Sequence, residues 1–206
     1  MSLSIDDIIK FIVDYKATNG VISTEEQIAK FVGELQEKIS FMDFSVPNGT
    51  TIIGYTGESN GVGAWKIVKE VSSGLGDDAT YISELQAGKL MNNSEFKEAL
   101  MQLVGSEQSI FDAVTSGYAP DGTRIPNGKC GYGDYLSIDD FVSSKLMGES
   151  TGISENLIVF APEEISPSKV FGTTEVENIF KNNSIQYING ISKSELECYI
   201  LFWCGR

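Results

Sequence analysis

The chain has 206 residues, of which 41% are hydrophobic and 21% charged, a composition typical of a globular protein with a substantial buried core. Its formal net charge of −14 excludes nucleic acid and anionic lipid as partners, and it suits either a basic protein partner or a merely acidic surface. The chain contains no histidine, which excludes Ser-His-Asp and Cys-His catalysis and most catalytic zinc sites. Enzymatic chemistry would have to use carboxylates, hydroxyls, lysines or thiols.

The sequence does not predict a membrane span, a signal peptide or a disulfide framework. No apolar run reaches the roughly 18 residues that a membrane span needs. The first residues carry Asp6 and Asp7 and no basic residue, so we predict no signal peptide in this chain. The three cysteines, Cys130, Cys198 and Cys204, are too few for a disulfide framework and indicate a reducing environment, although a Cys198–Cys204 bridge stays open.

The chain is predicted to begin with a helix over residues 4–18, capped by Ser4 with Asp7 and ended by Asn19-Gly20. Its apolar face is predicted to comprise Ile5, Ile8, Ile9, Ile12 and Val13.

A second helix is predicted to begin at Ser23, with Glu26 completing the capping signature. Its apolar stripe comprises Ile28, Phe31, Val32, Leu35 and Ile39. The two helices are predicted to form an antiparallel hairpin over residues 1–45 with a structural role.

A strand and a glycine-rich loop follow the turn Pro47-Asn48-Gly49. Residues 50–55 are predicted to form a buried strand, and the next helix is predicted over residues 64–73, with Trp65 and Val68 buried. The loop contains Gly54, Gly57, Gly61 and Gly63. It lacks both the Gly-Lys-Ser/Thr of a phosphate loop and the third glycine of the dinucleotide fingerprint.

The middle of the chain is predicted to be mainly helical after a short strand over residues 79–82. Helices are predicted over residues 94–104, capped by Asn93 or Ser94, over residues 110–114 and over residues 138–147. Residues 117–133 contain five glycines and two prolines, and so long a loop is either disordered or functional.

The last third changes to an α/β pattern. Strand-like apolar runs are 157–160, 185–188 and 199–203, with a short helix over residues 174–180 between the first two. We therefore predict an α/β fold, in which an N-terminal helical part packs on a C-terminal, mostly parallel sheet with helices.

The stretch Phe171-Gly172-Thr173-Thr174-Glu175-Val176 is predicted to be a turn from a strand into a helix. A structural explanation is that Thr174 and Glu177 form a capping box, with Val176, Ile179 and Phe180 on the buried face. That explanation gives Glu175 no part in the capping box and is compatible with a functional role for it.

The same stretch resembles the Phe-Gly-x-x-Glu-Val signature of the ADP-ribosyl cyclase / NAD glycohydrolase family, in which this glutamate is catalytic. Other landmarks follow the family's order over about residues 50–180. They are Tyr55-Thr56-Gly57 after an early strand, Glu84 before Gly88-Lys89-Leu90, Val142-Ser143 in a helix, and the strand at 157–160. The lack of a disulfide framework is similar to the family's bacterial toxin domains.

The resemblance implies a site of two carboxylates and several binding residues. Glu175 would stabilise the oxocarbenium-like transition state of nicotinamide–ribose cleavage, and Glu84 would accept a hydrogen bond from the nicotinamide amide. Tyr55 would stack on the pyridinium ring. The other implied substrate-binding residues are Thr56, Gly57, Asn92, Ser143, Phe171, Gly172 and Thr174.

The departures from the family pattern favour hydrolysis over cyclisation. Tyr55 stands where the family has its first active-site tryptophan, and the second would fall near Asp139, where no aromatic residue occurs. Tyr132 or Tyr135 could substitute for it. An acidic residue after the Gly-x-Leu is replaced by Asn92.

The resemblance thus implies that residues 46–206 form a catalytic domain with NAD(P)+ glycohydrolase activity. It would be a bacterial toxin or effector that acts in a reducing cytoplasm, either directly or after delivery as a secreted toxin domain. Its substrate would be NAD+ or NADP+, and it would need no metal or further cofactor. An immunity protein would be its partner. Two alternatives stay open: a non-enzymatic acidic protein-binding module that uses the hairpin or the 117–133 loop, and an ADP-ribosyltransferase that uses Glu175-Val176-Glu177.

Overall fold

The computed structural model describes residues 2–55, 58–59, 62–75, 79–81, 84–85, 87–160 and 174–196. The helices are α1 (Ile5–Asn19), α2 (Glu25–Ile39), α3 (Ala64–Leu75), α4 (Ser94–Leu103), α5 (Gln108–Ser116), α6 (Ile138–Glu149) and α7 (Val176–Lys181), with short 3₁₀ helices at Gly88–Asn92 and Pro126–Gly128. The strands are β1 (Thr51–Tyr55), β2 (Glu58–Ser59), β3 (Val62–Gly63), β4 (Ala79–Tyr81), β5 (Asn156–Phe160), β6 (Tyr187–Ile188) and β7 (Ile191–Ser192). The predicted α/β class with a mostly parallel sheet is confirmed.

The chain divides into two compact units, each made of two segments. The helical unit comprises Met1–Asp43 and Gln86–Ser143, and the sheet unit comprises Phe44–Leu85 and Ser144–Arg206. This grouping differs from the single division at residue 45 that the sequence suggested, and the extent of a catalytic domain over residues 46–206 stays a prediction.

Helix α1 has the predicted ends. The Ser4 hydroxyl accepts a hydrogen bond from the Asp7 amide (3.2 Å), the Asp7 carboxylate accepts one from the Ser4 amide (2.8 Å), and Gly20 ends the helix at φ 74°. The predicted apolar face was too wide, because Val13 is 53% exposed. Ile12 is buried, and a helix turns by about 100° per residue, which carries Val13 away from the core.

Helix α2 begins one residue later than predicted. Thr24, not Ser23, is the cap, and its partner is Gln27 rather than Glu26. Both pairs fit the capping signature at the same spacing, and only the backbone geometry selects between them. The predicted stripe of α2 is confirmed, since all five of its residues are buried.

The antiparallel hairpin of α1 and α2 is also confirmed. The start of α1 meets the end of α2, where the Leu3 amide donates to the Phe41 carbonyl (2.8 Å). Between the helices, Phe31 stacks on Phe11 (6.1 Å between ring centres) and meets Tyr15 edge to face (5.0 Å). Such aromatic pairs add to the stabilisation from buried area.

The 117–133 loop is ordered within the helical unit. The Ile125 amide donates to the Gly117 carbonyl (2.7 Å), and the buried Gln36 side chain of α2 donates to the Leu136 carbonyl (2.7 Å) just after the loop. Gly33 of α2 leaves a slot for Tyr135, whose hydroxyl oxygen would lie 2.5 Å from a Cβ at that position. The segment just after the loop is therefore tied to α2 by groups that lie about a hundred residues apart in the chain.

In the described residues of the sheet unit, the main sheet has five strands in the order β4-β1-β5-β6-β7, and β2 and β3 form a separate pair. β4, β1, β5 and β6 run parallel, and only β7 is antiparallel. Both faces are covered, as parallel sheets require. Ile53 packs against Val68 of α3, while a Cβ at the next residue, Gly54, would lie 2.7 Å from Met147 of α6.

Several local predictions need correction. α3 extends to Leu75, two residues beyond the predicted end, and the β2–β3 hairpin inside the glycine-rich loop was not predicted. β6 is shorter than the predicted run at 185–188, because Ile185 is buried without strand pairing. The predicted strand at 199–203 and the side chain of Trp65 lie outside the described residues. Within those residues, no helix is both long and apolar enough to span a bilayer.

Candidate functional site

The parallel strands create a crevice at their carboxyl edge. From β1 the chain first forms β4 on one side and later forms β5 on the other side, so the connections diverge between β1 and β5. Ligands of parallel α/β sheets characteristically bind at such a divergence, beyond the carboxyl ends of the strands. The last residues of these two strands, Tyr55 and Phe160, are paired in register.

Several predicted site residues end or follow the strands that meet at this edge. Tyr55 ends β1, Glu84 follows the end of β4 by three residues, and Thr174 and Glu175 lie on the connection from β5 to β6. The Tyr55 side chain, Thr56, Gly57, Phe171 and Gly172 lie outside the described residues.

Two predicted substrate-binding residues belong to the helical unit. Asn92 is exposed at the end of the 3₁₀ helix Gly88–Asn92, and Ser143 is half-buried in α6. Their roles in binding stay predictions.

Glu175 has a buried carboxylate at the start of α7. The side chain is 4% exposed, and its backbone angles are already helical (φ −70°, ψ −42°). Glu175 occupies the cap position that was predicted for Thr174, and its side chain makes no capping hydrogen bond. A carboxylate removed from water interacts strongly with a nearby cationic group, because the low dielectric screens it little.

Asparagine side chains of α7 and of the residue that follows it bind backbone carbonyls of α6 and just beyond α6. Asn178 donates to the Ser144 carbonyl (2.9 Å), and Asn182 donates to the Met147 and Ser150 carbonyls (3.2 Å each). The three accepting carbonyls lie at the C-terminal part of α6 or just beyond it. These bonds fix α7 against α6 and thereby fix the residue from which α7 starts.

Gly148 lets α6 approach α7 closely. A Cβ at Gly148 would lie 3.1 Å from the Cβ of Asn178, which is tighter than ordinary side-chain contact. With no side chain at Gly148, Asn178 can lie directly on α6 and reach the Ser144 carbonyl.

Glu84 is oriented by the last residue of β4. The Tyr81 hydroxyl donates to Glu84 Oε1 (2.8 Å), and Tyr81 itself is only 8% exposed. Glu84 is exposed, so its carboxylate is accessible to a ligand while one of its oxygens accepts a hydrogen bond from a buried tyrosine.

Ser144 is a buried serine that the sequence analysis did not single out. Its side chain is 3% exposed, and its hydroxyl has no hydrogen-bond partner in the described part of the protein. The sequence shows only two adjacent serines in a helix, and the resemblance pointed to Ser143. Packing alone shows that Ser144 carries the buried hydroxyl.

The described residues give no support to metal-ion or thiol chemistry. No group of three cysteine, aspartate or glutamate side chains there could hold a metal ion. Burial raises the pKa of the Cys130 thiol, which keeps it protonated and weakly nucleophilic. Cys198 and Cys204 lie outside the described residues.

Comparison with known proteins finds no matching family model, no similar curated protein and no similar solved structure. The likeness to the ADP-ribosyl cyclase family therefore rests on the sequence motifs alone.

Proposed function

We propose that this protein is an NAD(P)+ glycohydrolase, which releases nicotinamide and leaves ADP-ribose or its 2′-phosphate. The observation that carries the proposal is the burial of Glu175 on the connection that follows β5, which is one of the two strands between which ligands of such sheets bind. The motif around Glu175 adds the expectation of nicotinamide–ribose cleavage.

The reaction requires one well-placed carboxylate. The leaving nicotinamide is cationic in the substrate and departs neutral with the bonding electron pair, so no general acid is needed. Positive charge moves onto the ribose, and water then adds to the same carbon and loses a proton. Glu175 stabilises this developing charge, and Glu84 accepts a hydrogen bond from the nicotinamide amide.

The spacing of the acidic residues favours the hydrolase over the transferase alternative. Residues i and i+2 of a helix do not face each other. Glu175 is buried, whereas Glu177 is exposed and lies 3.5 Å from Lys181. A Glu-x-Glu pair that shared one substrate would need both carboxylates on the same side.

The biological role extends the same proposal. We propose that the protein depletes NAD(P)+ as a bacterial toxin or effector and that an immunity protein neutralises it. NAD+ or NADP+ is a substrate here, and no further cofactor is required by the chemistry.

The test is nicotinamide release from NAD+ and NADP+ by wild type, Glu175→Gln and Glu177→Gln. We expect Glu175→Gln to lose at least about 100-fold in rate, as removal of one charge-stabilising group does elsewhere. Glu177→Gln makes the same chemical change at an exposed position and should retain activity. All three proteins must first show the same melting temperature.

Product analysis then separates the remaining alternatives. ADP-ribose without a cyclic product supports the hydrolase, and labelled ADP-ribose on a protein would support the transferase. A folded wild-type protein that leaves saturating NAD+ and NADP+ intact would overturn the proposal in favour of the acidic binding module.

A further inference from the structure

Five asparagines of this chain are followed directly by glycine: Asn19, Asn48, Asn60, Asn127 and Asn189. An asparagine in this position readily loses its side-chain amide in water, because glycine has no side chain to keep the next backbone nitrogen away from the asparagine side chain. Asn60 lies outside the described residues. The other four differ in the hydrogen bonds of their side chains and in the surroundings of the glycine that follows.

Two of these asparagines are hindered by their place in the fold. Asn19 ends α1, where its side-chain nitrogen donates to the Tyr15 carbonyl (2.9 Å), and the N–H of Gly20 donates to the carbonyl four residues earlier (2.8 Å). Asn127 is exposed, but Gly128 is buried, which keeps hydroxide away from the nitrogen that has to lose its proton.

The pairs Asn48-Gly49 and Asn189-Gly190 are matched in exposure and in the bonding of the glycine. Both residues of each pair are exposed. The glycine N–H of the first pair donates to the Gly152 carbonyl (2.8 Å), and that of the second pair donates to Asn156 Oδ1 (2.9 Å). Any difference in reactivity between the two pairs must therefore come from the asparagine side chains.

The side chain of Asn189 is fixed at both ends of its amide. The Val159 N–H donates to Asn189 Oδ1 (2.9 Å), and Asn189 Nδ2 donates to the Val159 carbonyl (3.1 Å). The side chain of Asn48 has no hydrogen bond to the described part of the protein. Two hydrogen bonds must break before the amide carbon of Asn189 can turn towards the next nitrogen, whereas Asn48 meets no such barrier.

We propose that Asn48 is a site of spontaneous deamidation in the folded protein, with water as the only co-reactant. The Gly49 nitrogen loses its proton to hydroxide and attacks Cγ of Asn48. The bond from Cγ to Nδ2 breaks, and the nitrogen leaves as ammonia. Water then opens the five-membered imide, giving aspartate if the new bond to Cγ breaks and isoaspartate if the original peptide bond breaks. This inference is independent of the glycohydrolase proposal.

The modification falls in a turn that leads into β1. The Thr50 N–H closes this turn on the Pro47 carbonyl (3.1 Å), and β1 begins at the next residue. Isoaspartate adds a methylene group to the main chain and displaces the bond from Gly49 to Gly152. We expect the isoaspartate form to melt about 2–4 °C lower than wild type, the effect of one lost hydrogen bond in a chain of this size. Asn48→Asp keeps the length of the main chain and should melt close to wild type.

The test is peptide mapping by mass spectrometry during incubation at mildly alkaline pH, with the protein either folded or unfolded in urea. In the folded protein we expect Asn48 to react roughly 30-fold faster than Asn189, as two neutral hydrogen bonds predict. In urea the two rates should be similar, because both asparagines precede glycine. Asn48→Gln is the control: it keeps an amide, but its longer side chain closes a six-membered ring far more slowly.

The contrary outcomes are equally clear. The proposal is overturned if Asn19, Asn127 or Asn189 reacts as fast as Asn48 in the folded protein. It is also overturned if Asn48 stays intact in the folded protein while it reacts in urea. An isoaspartate form that melts with wild type would overturn the assigned effect on the turn before β1. The glycohydrolase proposal stands or falls separately, by the release of nicotinamide.

Discussion

The ammonium group of Lys193 donates a hydrogen bond to the carbonyl of Asn182 (2.7 Å) and thereby closes the C-terminal end of α7. The same group also reaches the carbonyls of Ile179 (3.2 Å) and Phe180 (3.1 Å). A positive charge that binds the last carbonyls of a helix satisfies acceptors that the helix leaves open and opposes its dipole favourably. The short helix that starts after Glu175 is thus held at its far end by a residue beyond β7.

Replacing Lys193 with methionine should lower the free energy of unfolding by about 1–2 kcal/mol, because three carbonyls lose a charged donor. Lys181→Met is the matched control. In the described part of the protein, its ammonium group is paired with Glu177 at the surface (3.5 Å), and such pairs contribute little. Urea denaturation of both variants measures the difference, and equal losses would contradict the capping role of Lys193.

The loop residue Arg124 binds the buried carboxylate of Asp140, with Nη2 at 2.7 Å from Oδ1 and 2.9 Å from Oδ2. Burial raises the pKa of Asp140, while attraction to Arg124 and the hydrogen bonds from Ser137 and Arg124 oppose the increase. For an acid whose pKa is higher in the folded state, stability is greatest below the unfolded pKa and falls as pH rises through the folded pKa.

Arg124→Met should therefore raise the pKa of Asp140 further and cost stability mainly at high pH. We expect a loss of about 1–2 kcal/mol at pH 7, discounted from a fully buried pair because Arg124 is half exposed, and little loss near pH 4. Denaturation at both pH values measures this. Adding Asp140→Asn should reduce the pH dependence of the loss and leave the part that comes from the attraction between Arg124 and Asp139. A loss that is equal at both pH values in the single variant would count against the pairing.

We predict that position 33, in the middle of α2, must be glycine because the Tyr135 ring occupies the space of its side chain. Gly33→Ala should destabilise the protein by about 1 kcal/mol, because the new Cβ displaces the Tyr135 ring from its slot despite the higher helix propensity of alanine. In a Tyr135→Ala background the same change should stabilise the protein. Melting temperatures of the four proteins give the result, and a destabilising effect in both backgrounds would contradict the explanation.

Tyr81 is predicted to orient Glu84 for the proposed reaction. Tyr81→Phe keeps the ring that packs with Ile53 and Val68 but removes the donor to Glu84 Oε1. We expect kcat/KM for NAD+ to fall about 5-fold, the value of one hydrogen bond. In a double-mutant cycle with Glu84→Gln, the second change should add little to the first, whereas fully additive losses would show that the two residues act separately.

Local patterns in the sequence predicted much of the fold. The Ser4–Asp7 capping box, the helix end at Gly20 and the buried stripe of α2 were all predicted correctly, because each depends on residues within a few positions of one another. The prediction placed the α2 cap one residue early, since adjacent residues carried equivalent capping signals. The candidate site stays a prediction: Glu84 follows β4 and Glu175 starts the helix after β5, and their catalytic roles are untested.

The sequence by itself determined the helix caps, the apolar stripes, the class of fold and the absence of histidine chemistry. Only the tertiary structure decided the order of the strands, the burial of Glu175, the slot at Gly33 for Tyr135, and which of two adjacent serines is buried. The physical reason is the range of the interactions. Caps and stripes depend on neighbours in the chain, whereas burial depends on packing between α6, α7 and β1, which lie far apart in sequence.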